Sequence, residues 1–391
     1  MSKERKLNVI FFPAWYPNKF SKVSGLFVKE HARAINQQVN LAVFHVCAHP
    51  YLKSLYSFEE ELEDGILVYR IYYRKFSRAW LKPISLLLFA VAAVIGYYKV
   101  NTRFKPDLNH VHVLTRMGVV ALFIRLFYRT PFVITEHWTR YLPERNSYKG
   151  VFRKWMTKLA VKNSLGISTV SQNLKSALLS HNLKHQNFKV IPNVVDATLF
   201  RPNAQPTEDF TFLHVSGIND TAKNISGLLR AFKKVLSNLP GKVLRLTIVG
   251  DDDLERPILE KYAADLGLAQ QVFFVGKKYG KDLVSEYQQA NAFVMFSNFE
   301  NQPCVILEAM SCGLPIVSSS VGGIAEIVDE NTGILVKARD EQALQQAMLS
   351  MYYNARNYPG GLIRKTAEEN FAYPSVCSKF LAFYQQAMAN S

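Results

Sequence analysis

The sequence predicts an α/β protein made of two domains, each with a parallel sheet covered by helices. Its 391 residues are too many for one ordinary hydrophobic core and suit two domains of about 150–200 residues each. Short apolar segments typical of buried strands alternate with helical segments along the chain, which is the pattern of a parallel α/β fold. Residues 201–206 are polar and contain two prolines, and we interpret them as the linker between the domains.

The composition is that of a globular protein in a reducing compartment. Hydrophobic residues make up 49% of the chain and charged residues 20%, which is ordinary for such proteins. Residues 1–6 are polar and residues 7–12 are predicted to form a core strand, so we expect no signal peptide. The four cysteines have neither CxxC pairing nor metal-binding spacing, and they favour a cytoplasmic location.

The positive charge is concentrated in the first half of the chain. Residues 1–195 contain 29 Lys and Arg against 10 Asp and Glu, a net charge of +19, whereas the remainder carries 18 against 21, a net charge of −3. This asymmetry predicts that the first half faces an anionic partner. Charge alone leaves anionic lipid, a phosphate-bearing substrate and nucleic acid open. No nucleic-acid-binding motif accompanies the charge, so we expect no nucleic-acid partner.

The first domain opens with a strand, a glycine-containing loop and a helix, over residues 7–12, 13–25 and 26–35. This order is typical of a nucleotide-binding α/β domain, although only one glycine of the usual three is present. Gly25 stands at the start of this helix, where a residue without Cβ lets the backbone come close to a ligand.

Histidines follow or occupy two other predicted strands. His137 follows residues 132–135 after one intervening residue, Glu136, at the carboxyl end of a strand, where α/β domains bind ligands. We therefore interpret His137 as a site candidate, with an ordinary surface histidine as the alternative. His110 and His112 share one face of the strand over residues 107–113. Because no third ligand is evident near them, we expect no metal site there.

Two segments of the first domain raise the question of membrane contact. Residues 84–98 carry no charge, but a membrane span needs about 20 residues. We predict a buried helix, and a membrane-touching helix is the alternative. Residues 148–163 predict a helix with two unlike faces. A solvated basic face and contact with an anionic membrane surface both remain open for this helix.

Two carboxylates in the second domain suggest a ligand site. Glu300 lies in a loop after the strand predicted over residues 293–296, and Glu308 lies inside the helix that follows. Pro303 suits the first turn of this helix, because a missing N–H costs nothing there. A helix N-terminus beside a loop acid is a place where a phosphorylated ligand would sit.

Three aspartates in the same domain invite a metal interpretation. Asp251, Asp252 and Asp253 follow the strand predicted over residues 244–249. They stand where a helix begins, and acids are favourable at the positive end of a helix. We therefore expect them to start the helix and not to bind a metal ion.

Glu300, seven intervening residues and Glu308, followed by Ala-Met-x-x-Gly-x-Pro, resemble the signature of the retaining glycosyltransferases of family 4. Residues 192–196 also resemble the family's Pro-Asn-x-Val-Asp segment. The resemblance covers nearly the whole chain and implies the GT-B fold, in which two Rossmann-like domains face each other across a cleft. It implies a first domain over residues 1–200, a second over 201–373 and a helix over 374–391 that packs back on the first.

The resemblance implies transfer of a sugar from a UDP- or GDP-sugar to a glycan or lipid-linked acceptor, without a metal or other cofactor. It assigns catalytic roles to His137, Lys223 and Glu300. It places these further residues at the nucleotide sugar: Gly25, Asn193, Asn224, Gln302, Pro303, Cys304, Val305 and Glu308. One family residue is missing, because Ser216-Gly217-Ile218 stands where the family usually has Gly-Arg-Leu. Another basic group would have to replace that arginine.

Two other function classes remain open from the sequence. An epimerase that acts on the nucleotide sugar itself shares this fold and needs no acceptor. A basic binding module for nucleic acid or an anionic polymer would explain the charge of the first half. Acids at Glu300 and Glu308 favour a site for sugar hydroxyls over a module that binds phosphates.

Overall fold

The computed structural model describes residues 5–114, 116–203 and 209–389 and confirms the α/β class. Its contacts divide the chain into two compact units. Unit 1 holds the chain up to Val170, Leu174–Pro192 and the chain from Val376 onward, whereas unit 2 holds Ser171–Asn173 and Asn193–Ser375. The last three residues of the predicted linker, residues 204–206, lie outside the described residues.

Unit 1 contains an eight-stranded sheet in the order β3-β4-β2-β1-β5-β6-β7-β8. All neighbouring strands are parallel except β3, which pairs antiparallel with β4. The strands are β1 Asn8–Pro13, β2 Asn40–His49, β3 Tyr56–Glu63, β4 Ile66–Arg74, β5 Leu108–His112, β6 Phe132–Glu136, β7 Ile167–Thr169 and β8 Phe188–Val190. Because the carboxyl ends of parallel strands lie on one edge, the loops after them form one surface.

Six helices accompany this sheet in whole or in part. They are α1 Leu26–Ile35, α2 Lys82–Phe104, α3 Arg116–Tyr128, α4 Val151–Asn163, α5 Gln172–Ser180 and the C-terminal helix α13 Tyr373–Ala389. A Cβ at Gly166 would lie 2.7 Å from the ring of Phe383, so α13 packs closely on unit 1. The predicted return of the C-terminal helix to the first domain is therefore confirmed.

The apolar helix predicted over residues 84–98 is longer and more exposed than expected. It extends over Lys82–Phe104, and only 28% of its most apolar stretch is buried. One face, which includes Ala92, Tyr97 and Val100, packs into the core. The expectation of a buried helix is wrong for the other face, because a helix on one side of a sheet covers the sheet with a single stripe. By length and composition it is the one membrane-span candidate among the described helices.

Helix α4 also differs from an ordinary surface helix. It buries Thr157, Ala160 and Val161, whereas the large apolar side chains of Phe152 and Trp155 are exposed. The two unlike faces predicted from the sequence therefore exist, but the apolar face is not part of the core.

Unit 2 contains a six-stranded, entirely parallel sheet in the order β11-β10-β9-β12-β13-β14. The strands are β9 Phe210–Val215, β10 Leu244–Val249, β11 Val272–Gly276, β12 Ala292–Met295, β13 Ile316–Ser319 and β14 Gly333–Val336. The helices are α6 Asp220–Lys223, α7 Ile225–Ser237, α8 Glu255–Asp265, α9 Gly280–Gln289, α10 Cys304–Ser311, α11 Glu341–Asn354 and α12 Gly360–Phe371. Central strands β9 and β12 place their following loops side by side.

The segment after Pro192 belongs to unit 2, although the sequence predicts the first domain to end at residue 200. The amide of Val195 donates to the carbonyl of Phe371 at 2.9 Å. The guanidinium of Arg364 donates to the carbonyls of Ala197 and Phe200 at 3.0 and 3.1 Å. These bonds attach residues 193–200 to α12 and account for the earlier boundary.

Candidate active site

Glu300 and Lys223 form an ion pair at the carboxyl edge of the unit 2 sheet. Glu300 lies in the loop between β12 and α10, with its side chain largely buried. Its Oε1 accepts hydrogen bonds from Lys223 Nζ at 2.5 Å and from Ser297 Oγ at 2.8 Å. The structure therefore brings together two residues that lie 77 positions apart in the sequence, and both are predicted site residues.

Two glycines after β13, Gly322 and Gly323, allow the loop that carries Glu300 to pack closely against them. A Cβ at Gly322 would lie 2.0 Å from the carbonyl oxygen of Glu300, and the φ of Gly322 is +58°. The amide of Gly323 donates to the carbonyl of Asn301 at 2.6 Å. A side chain at Gly322 would push the loop outward, because this approach is backbone to backbone. A Cβ at Gly323 would lie 2.7 Å from Ser171 Cβ and 2.8 Å from the carbonyl oxygen of Asn301.

Lys223 ends a one-turn helix that is fixed at both ends. The side chain of Asn219 caps α6 by accepting from the amide of Ala222 at 2.9 Å. Asn224 ends α6 in the left-handed region, with φ +50°, a conformation that Asn tolerates better than most residues. The amide of Asn298 donates to the carbonyl of Ala222 at 2.8 Å, so the Glu300 loop and the Lys223 turn are held together by backbone.

Helix α10 begins one residue later than the sequence predicts. Pro303 precedes the helix in an extended conformation, with φ −74° and ψ 120°, and Cys304 and Val305 form the first turn. The prediction that Pro303 occupies the first turn is therefore wrong by one position, since its ψ is not helical.

Asn193 and Gln302 hold each other just ahead of this helix. The amide of Asn193 donates to Gln302 Oε1 at 2.5 Å, and Asn193 Nδ2 donates to the carbonyl of Gln302 at 2.8 Å. Both residues are buried. Asn193 is thus held beside Gln302, directly ahead of Pro303 and the first turn of α10, within unit 2.

Glu308 has a partner that the sequence does not reveal. The hydroxyl of Tyr287 on α9 donates to Glu308 Oε2 at 2.8 Å. Burial and then the charge of Glu308 raise the pKa of Tyr287 well above its ordinary value, so Tyr287 remains a neutral donor. Glu308 is half-buried, and this bond gives the acid a structural reason to be there beside any role in binding.

Gly217 stands in open space where the family arginine would project. A Cβ at Gly217 would have no heavy atom within 4 Å. The hydroxyl of the neighbouring Ser216 already has a hydrogen-bond partner, because its Oγ lies 2.8 Å from His214 Nε2. His214 Nδ1 must donate to the carbonyl of Val294, 3.0 Å away, and so Nε2 accepts from Ser216. The fold has room for an arginine that the sequence lacks.

The three aspartates after β10 begin a helix as predicted. Asp252 Oδ1 accepts from the amides of Leu254 and Glu255 at 3.0 and 2.9 Å, and these bonds lower the pKa of Asp252. Asp251 lies 3.7 Å from Arg256. These contacts confirm the helix-start interpretation.

His137 lies in unit 1, directly after β6, and is buried. The buried carboxylate of Glu136 shapes this turn, because its Oε1 accepts from the amides of His137 and Trp138 at 2.9 and 2.8 Å. The same carboxylate accepts from the amide of Leu114 through Oε2 at 3.0 Å. His137 is therefore not an ordinary surface histidine.

His137 belongs to a buried histidine cluster. His137 Nε2 lies 3.1 Å from His112 Nδ1. His31 Nε2 lies 3.2 Å from the carbonyl of Pro192, which can only accept, so His31 carries its proton on Nε2. Nitrogen atoms of His31, His112 and His137 all lie within 4.8 Å of one another. The expectation that no third ligand lies near this strand is therefore wrong for His112.

Two histidines of the cluster, His31 and His112, are held neutral. Burial lowers the pKa of His31 to about 4. Burial, followed by the neighbouring histidines, lowers the pKa of His112 well below its usual range. His110 points its nitrogens elsewhere, to Tyr384 and Thr135, both at 2.6 Å. His31 could have been noticed in the sequence, because it stands on the buried face of α1 between Val28 and Ile35.

Gly25 begins α1 where the backbone of the preceding loop crosses it. Its φ is +68°, and a Cβ there would lie 2.1 Å from the carbonyl oxygen of Trp15. This is a close contact between two backbone segments inside unit 1, and the predicted approach of a ligand at Gly25 stays a prediction. Gly25 and His137 lie in unit 1, and all other predicted site residues lie in unit 2.

A polar cavity of about 430 Å³ opens at the carboxyl edge of the unit 1 sheet. Its walls include Trp15, His45 and Trp138, together with the arginines Arg116, Arg140 and Arg153. The lining residues come from the loops after β1 and β6, from strands β2 and β4 and from helices α2, α3 and α4, so no local sequence pattern predicts this cavity. Ligands of parallel α/β domains bind at this edge.

Comparison with known families accounts for both units. The family model described as Glycosyltransferase Family 4 matches residues 27–199, and the model described as Glycosyl transferases group 1 matches residues 209–354. The chain belongs to the group 1, family 4 glycosyltransferases. The predicted family is thereby confirmed, and the enzyme is a glycosyltransferase.

Two curated glycosyltransferases align with much of the chain. One is an uncharacterized glycosyltransferase of Methanocaldococcus jannaschii, 24% identical over 345 residues, which are 87% of each chain. Another is the UDP-Gal:alpha-D-GlcNAc-diphosphoundecaprenol alpha-1,3-galactosyltransferase of Escherichia coli. It is 26% identical over 274 residues, which cover 66% of this chain and 69% of that protein.

Solved glycosyltransferase structures share the fold of this enzyme. Sucrose-phosphate synthase from Thermosynechococcus elongatus superimposes with a TM-score of 0.79 at 20% identity, over 98% of this chain and 100% of that one. The Anabaena protein HepE, solved in complex with UDP-glucose, gives a TM-score of 0.73 at 17% identity, over 96% and 99%. The predicted GT-B fold is confirmed.

Proposed function

We propose that this glycosyltransferase moves a sugar from a UDP- or GDP-sugar to a glycan or lipid-linked acceptor, with retention of anomeric configuration and without a metal ion. The observation that carries the proposal is the contact between Lys223 Nζ and Glu300 at 2.5 Å. It places a cation suited to a departing diphosphate beside an acid suited to sugar hydroxyls, next to the N-terminus of α10.

The nature of the donor draws support from similar proteins. The Escherichia coli relative carries UDP-Gal in its name, and HepE was solved with UDP-glucose. In our proposal Asn193, Gln302 and the first turn of α10 contact the donor, and Glu308 accepts from its ribose hydroxyls. Lys223 and the N-terminus of α10 supply the positive charge that a metal ion supplies in other transferases.

We propose that the acceptor attacks from the face that the diphosphate leaves. The new C–O bond forms at the anomeric carbon while the bond to the diphosphate oxygen breaks. That oxygen takes the acceptor proton, and Lys223 stabilises its charge. His137 orients the sugar and Glu300 holds its outer hydroxyls. A covalent route would need a carboxylate beneath the anomeric carbon. In our proposal Glu300 contacts the outer hydroxyls of the sugar and not this carbon, and His137 has no carboxylate.

We further propose a lipid-linked acceptor, such as a polysaccharide or lipopolysaccharide precursor, at the inner membrane face. Support comes from the Escherichia coli relative, whose name gives a diphosphoundecaprenol-linked acceptor. The net charge of +19 in residues 1–195 suits an anionic surface. The enzyme would then be cytoplasmic and peripheral to the membrane.

A donor panel tests the proposal. The enzyme is incubated with UDP- and GDP-sugars without acceptor, and release of nucleotide and the anomeric form of the sugar are followed by NMR. We expect slow hydrolysis of one donor to a product that is first formed with the donor's own anomeric configuration. Glu300→Gln should slow this release at unchanged fold. Inverted product would refute retention, and conversion of the donor into its epimer would indicate an epimerase.

A further inference from the structure

Three helices of unit 1 leave an apolar groove on its surface. The groove has a volume of about 790 Å³ and is lined by side chains from α2, α3 and α4. Leu86, Leu126, Phe152 and Trp155 are exposed by 60%, 71%, 73% and 57%. In the described part of the chain these four large apolar side chains remain open to solvent.

Such a surface is unusual unless it binds something. Exposed apolar patches of this kind mark interaction sites in globular proteins, and a volume between about 300 and 1,000 Å³ is typical of a ligand site. The sheet core does not need these side chains, because α4 packs through Thr157, Ala160 and Val161. The groove is concave, which suits a single chain lying in it better than a flat bilayer surface.

The groove adjoins the polar cavity at the carboxyl edge of the same sheet. Phe89, Arg116 and Arg153 line both. The guanidinium groups of Arg116 and Arg153 therefore lie between the apolar groove on one side and the polar cavity on the other. This order matches an amphipathic ligand that has a hydrocarbon chain, an anionic group and a polar head.

The arginines of the cavity contact uncharged groups. Among the described residues, none of Arg116, Arg140 and Arg153 forms an ion pair. Arg116 Nη1 donates to the hydroxyl of Tyr73 at 3.3 Å, and the guanidinium of Arg140 lies over the ring of Trp138 at 3.4 Å. Burial and then the charge of Arg153 lower the pKa of Arg140, whereas Tyr141 and the buried Glu136 raise it.

We propose that the groove and the polar cavity together hold a lipid-linked acceptor, which rests on the acceptor class proposed above. The hydrocarbon chain lies along Leu126, Phe152 and Trp155. The phosphate or diphosphate binds Arg116 and Arg153, whose fork geometry suits phosphate oxygens. The acceptor sugar occupies the polar cavity beside Trp15 and Trp138.

Binding of three probes tests which part of the ligand the groove and the arginines hold. Farnesyl diphosphate carries a chain and phosphates, inorganic diphosphate carries phosphates alone, and farnesol carries the chain alone. Affinities are measured by calorimetry on the full-length enzyme. We expect farnesyl diphosphate to bind at least about tenfold more tightly than either part, because one ligand then gains both sets of contacts.

Paired variants assign each part of the ligand to its residues. The double variant Phe152→Ser/Trp155→Gln changes exposed side chains, so it should fold. It should weaken farnesyl diphosphate about tenfold and leave inorganic diphosphate unchanged. Arg116→Gln and Arg153→Gln should each weaken both phosphate-containing probes about tenfold and leave farnesol unchanged. Ile258→Ser, an equally exposed apolar position on α8, is the matched control and should change nothing.

Several results would overturn the proposal. Equal affinity for farnesol and farnesyl diphosphate, with no effect of the arginine variants, would make the groove a general apolar contact. Loss of vesicle sedimentation in the Phe152→Ser/Trp155→Gln variant, with farnesyl diphosphate affinity unchanged, would make it a bilayer contact. Self-association of the wild type that this variant abolishes, again without an effect on the probe, would make it an interface between two copies.

The probe assay is independent of the transferase assay. An enzyme that hydrolyses a nucleotide sugar but does not bind farnesyl diphosphate would refute this acceptor site and leave the proposed function standing. An enzyme that binds farnesyl diphosphate as expected but consumes no nucleotide sugar would refute the proposed function alone.

Discussion

At the scale of single residues, the ammonium group of Lys223 interacts with two anionic groups in the proposed reaction. Its ammonium is bound by Glu300, and in the proposed reaction it also stabilises the departing diphosphate. A cation shared in this way neutralises the phosphate less than a free one. The absence of an arginine at Gly217 therefore weakens neutralisation of the diphosphate more in this enzyme than it would in one whose lysine is not paired with an acid.

Gly217→Arg should strengthen binding of the donor nucleotide. The open space around Gly217 admits the side chain, and a charge-assisted bond to phosphate contributes about 1.5–3 kcal/mol. We expect the dissociation constant of the donor's free nucleoside diphosphate, measured by calorimetry, to fall about tenfold or more. Gly361→Arg, also at an open position but on α12, is the control. Equal affinity in the Gly217→Arg variant and the wild type would show that this loop does not face the phosphates.

Glu308→Gln should weaken donor binding by about tenfold or more, because it removes a charged acceptor worth about 1.5–3 kcal/mol. Tyr287→Phe removes the other partner of Glu308 and separates the two roles of the acid. If Glu308 acts on the ribose, the Tyr287→Phe variant should keep most of its donor affinity and lose mainly thermal stability. Unchanged affinity in Glu308→Gln, again by calorimetry, would leave Glu308 with its structural role only.

Local spacing made some site residues predictable and left others hidden. Glu300 and Glu308 stand eight positions apart around the start of one helix, so both belong to a single short sequence motif. Tyr287 meets Glu308 from α9, and the three arginines of the cavity meet only after folding. Contacts between separate elements leave no local pattern, and a sequence read without relatives cannot show them.

At the scale of elements, buried neutral histidines should make the protein sensitive to acid. Burial lowers the pKa of His45 to about 4, whereas the unfolded chain takes up a proton near pH 6.5. The unfolded state therefore binds more protons between these values, and stability falls as the pH drops through this window. His45 should account for a loss of roughly 1 kcal/mol between pH 7.5 and 5.5.

His45→Asn tests this linkage, because Asn Nδ2 can replace the bond from His45 Nδ1 to the carbonyl of Pro13. Urea denaturation of this variant at pH 7.5 and 5.5 should show a pH-dependent loss of stability that is smaller than that of the wild type by roughly 1 kcal/mol. An identical loss in both proteins would mean that His45 is not held neutral by the fold.

Activity should survive treatment with EDTA. In our proposal the positive charge at the diphosphate comes from Lys223 and the N-terminus of α10, and Asp252 is engaged in starting α8. Nucleotide release is measured before and after dialysis against chelator. Loss of activity that manganese restores in Asp251→Asn but not in His112→Phe would identify the histidine cluster as a metal site. The reverse pattern would identify the aspartates.

Helix α2 marks the limit of prediction for whole elements. The apolar run over residues 84–98 predicts a helix, and a helix is present over Lys82–Phe104. Periodicity did not reveal that one face is exposed, because nearly every position of the run is apolar and no polar stripe marks the solvent side. Helix α4 shows the same limit. Its sequence does predict one apolar and one basic face, but it does not reveal that the apolar face is exposed.

At the scale of the whole molecule, the charge of the first half and the exposed apolar helices of unit 1 suit the same environment. Lys154, Lys158 and Lys162 are exposed on α4, the helix that also carries Phe152 and Trp155. A basic residue near an anionic membrane contributes about 1 kcal/mol. Exposed charges act through water and are screened by salt, whereas apolar contacts are not.

The enzyme should therefore sediment with anionic vesicles, and less so as salt increases. Lys158→Gln/Lys162→Gln should reduce the sedimented fraction at low salt, because two contributions of about 1 kcal/mol each are lost. Lys233→Gln/Lys234→Gln removes the same charge from exposed positions on α7 in unit 2 and should leave sedimentation unchanged. Equal effects of both pairs would mean that net charge alone attracts the protein. Sedimentation with neutral and anionic vesicles alike, or with neither, would show that the basic face of α4 does not direct the enzyme to a membrane, and the charge of the first half would then serve the phosphate-bearing substrates.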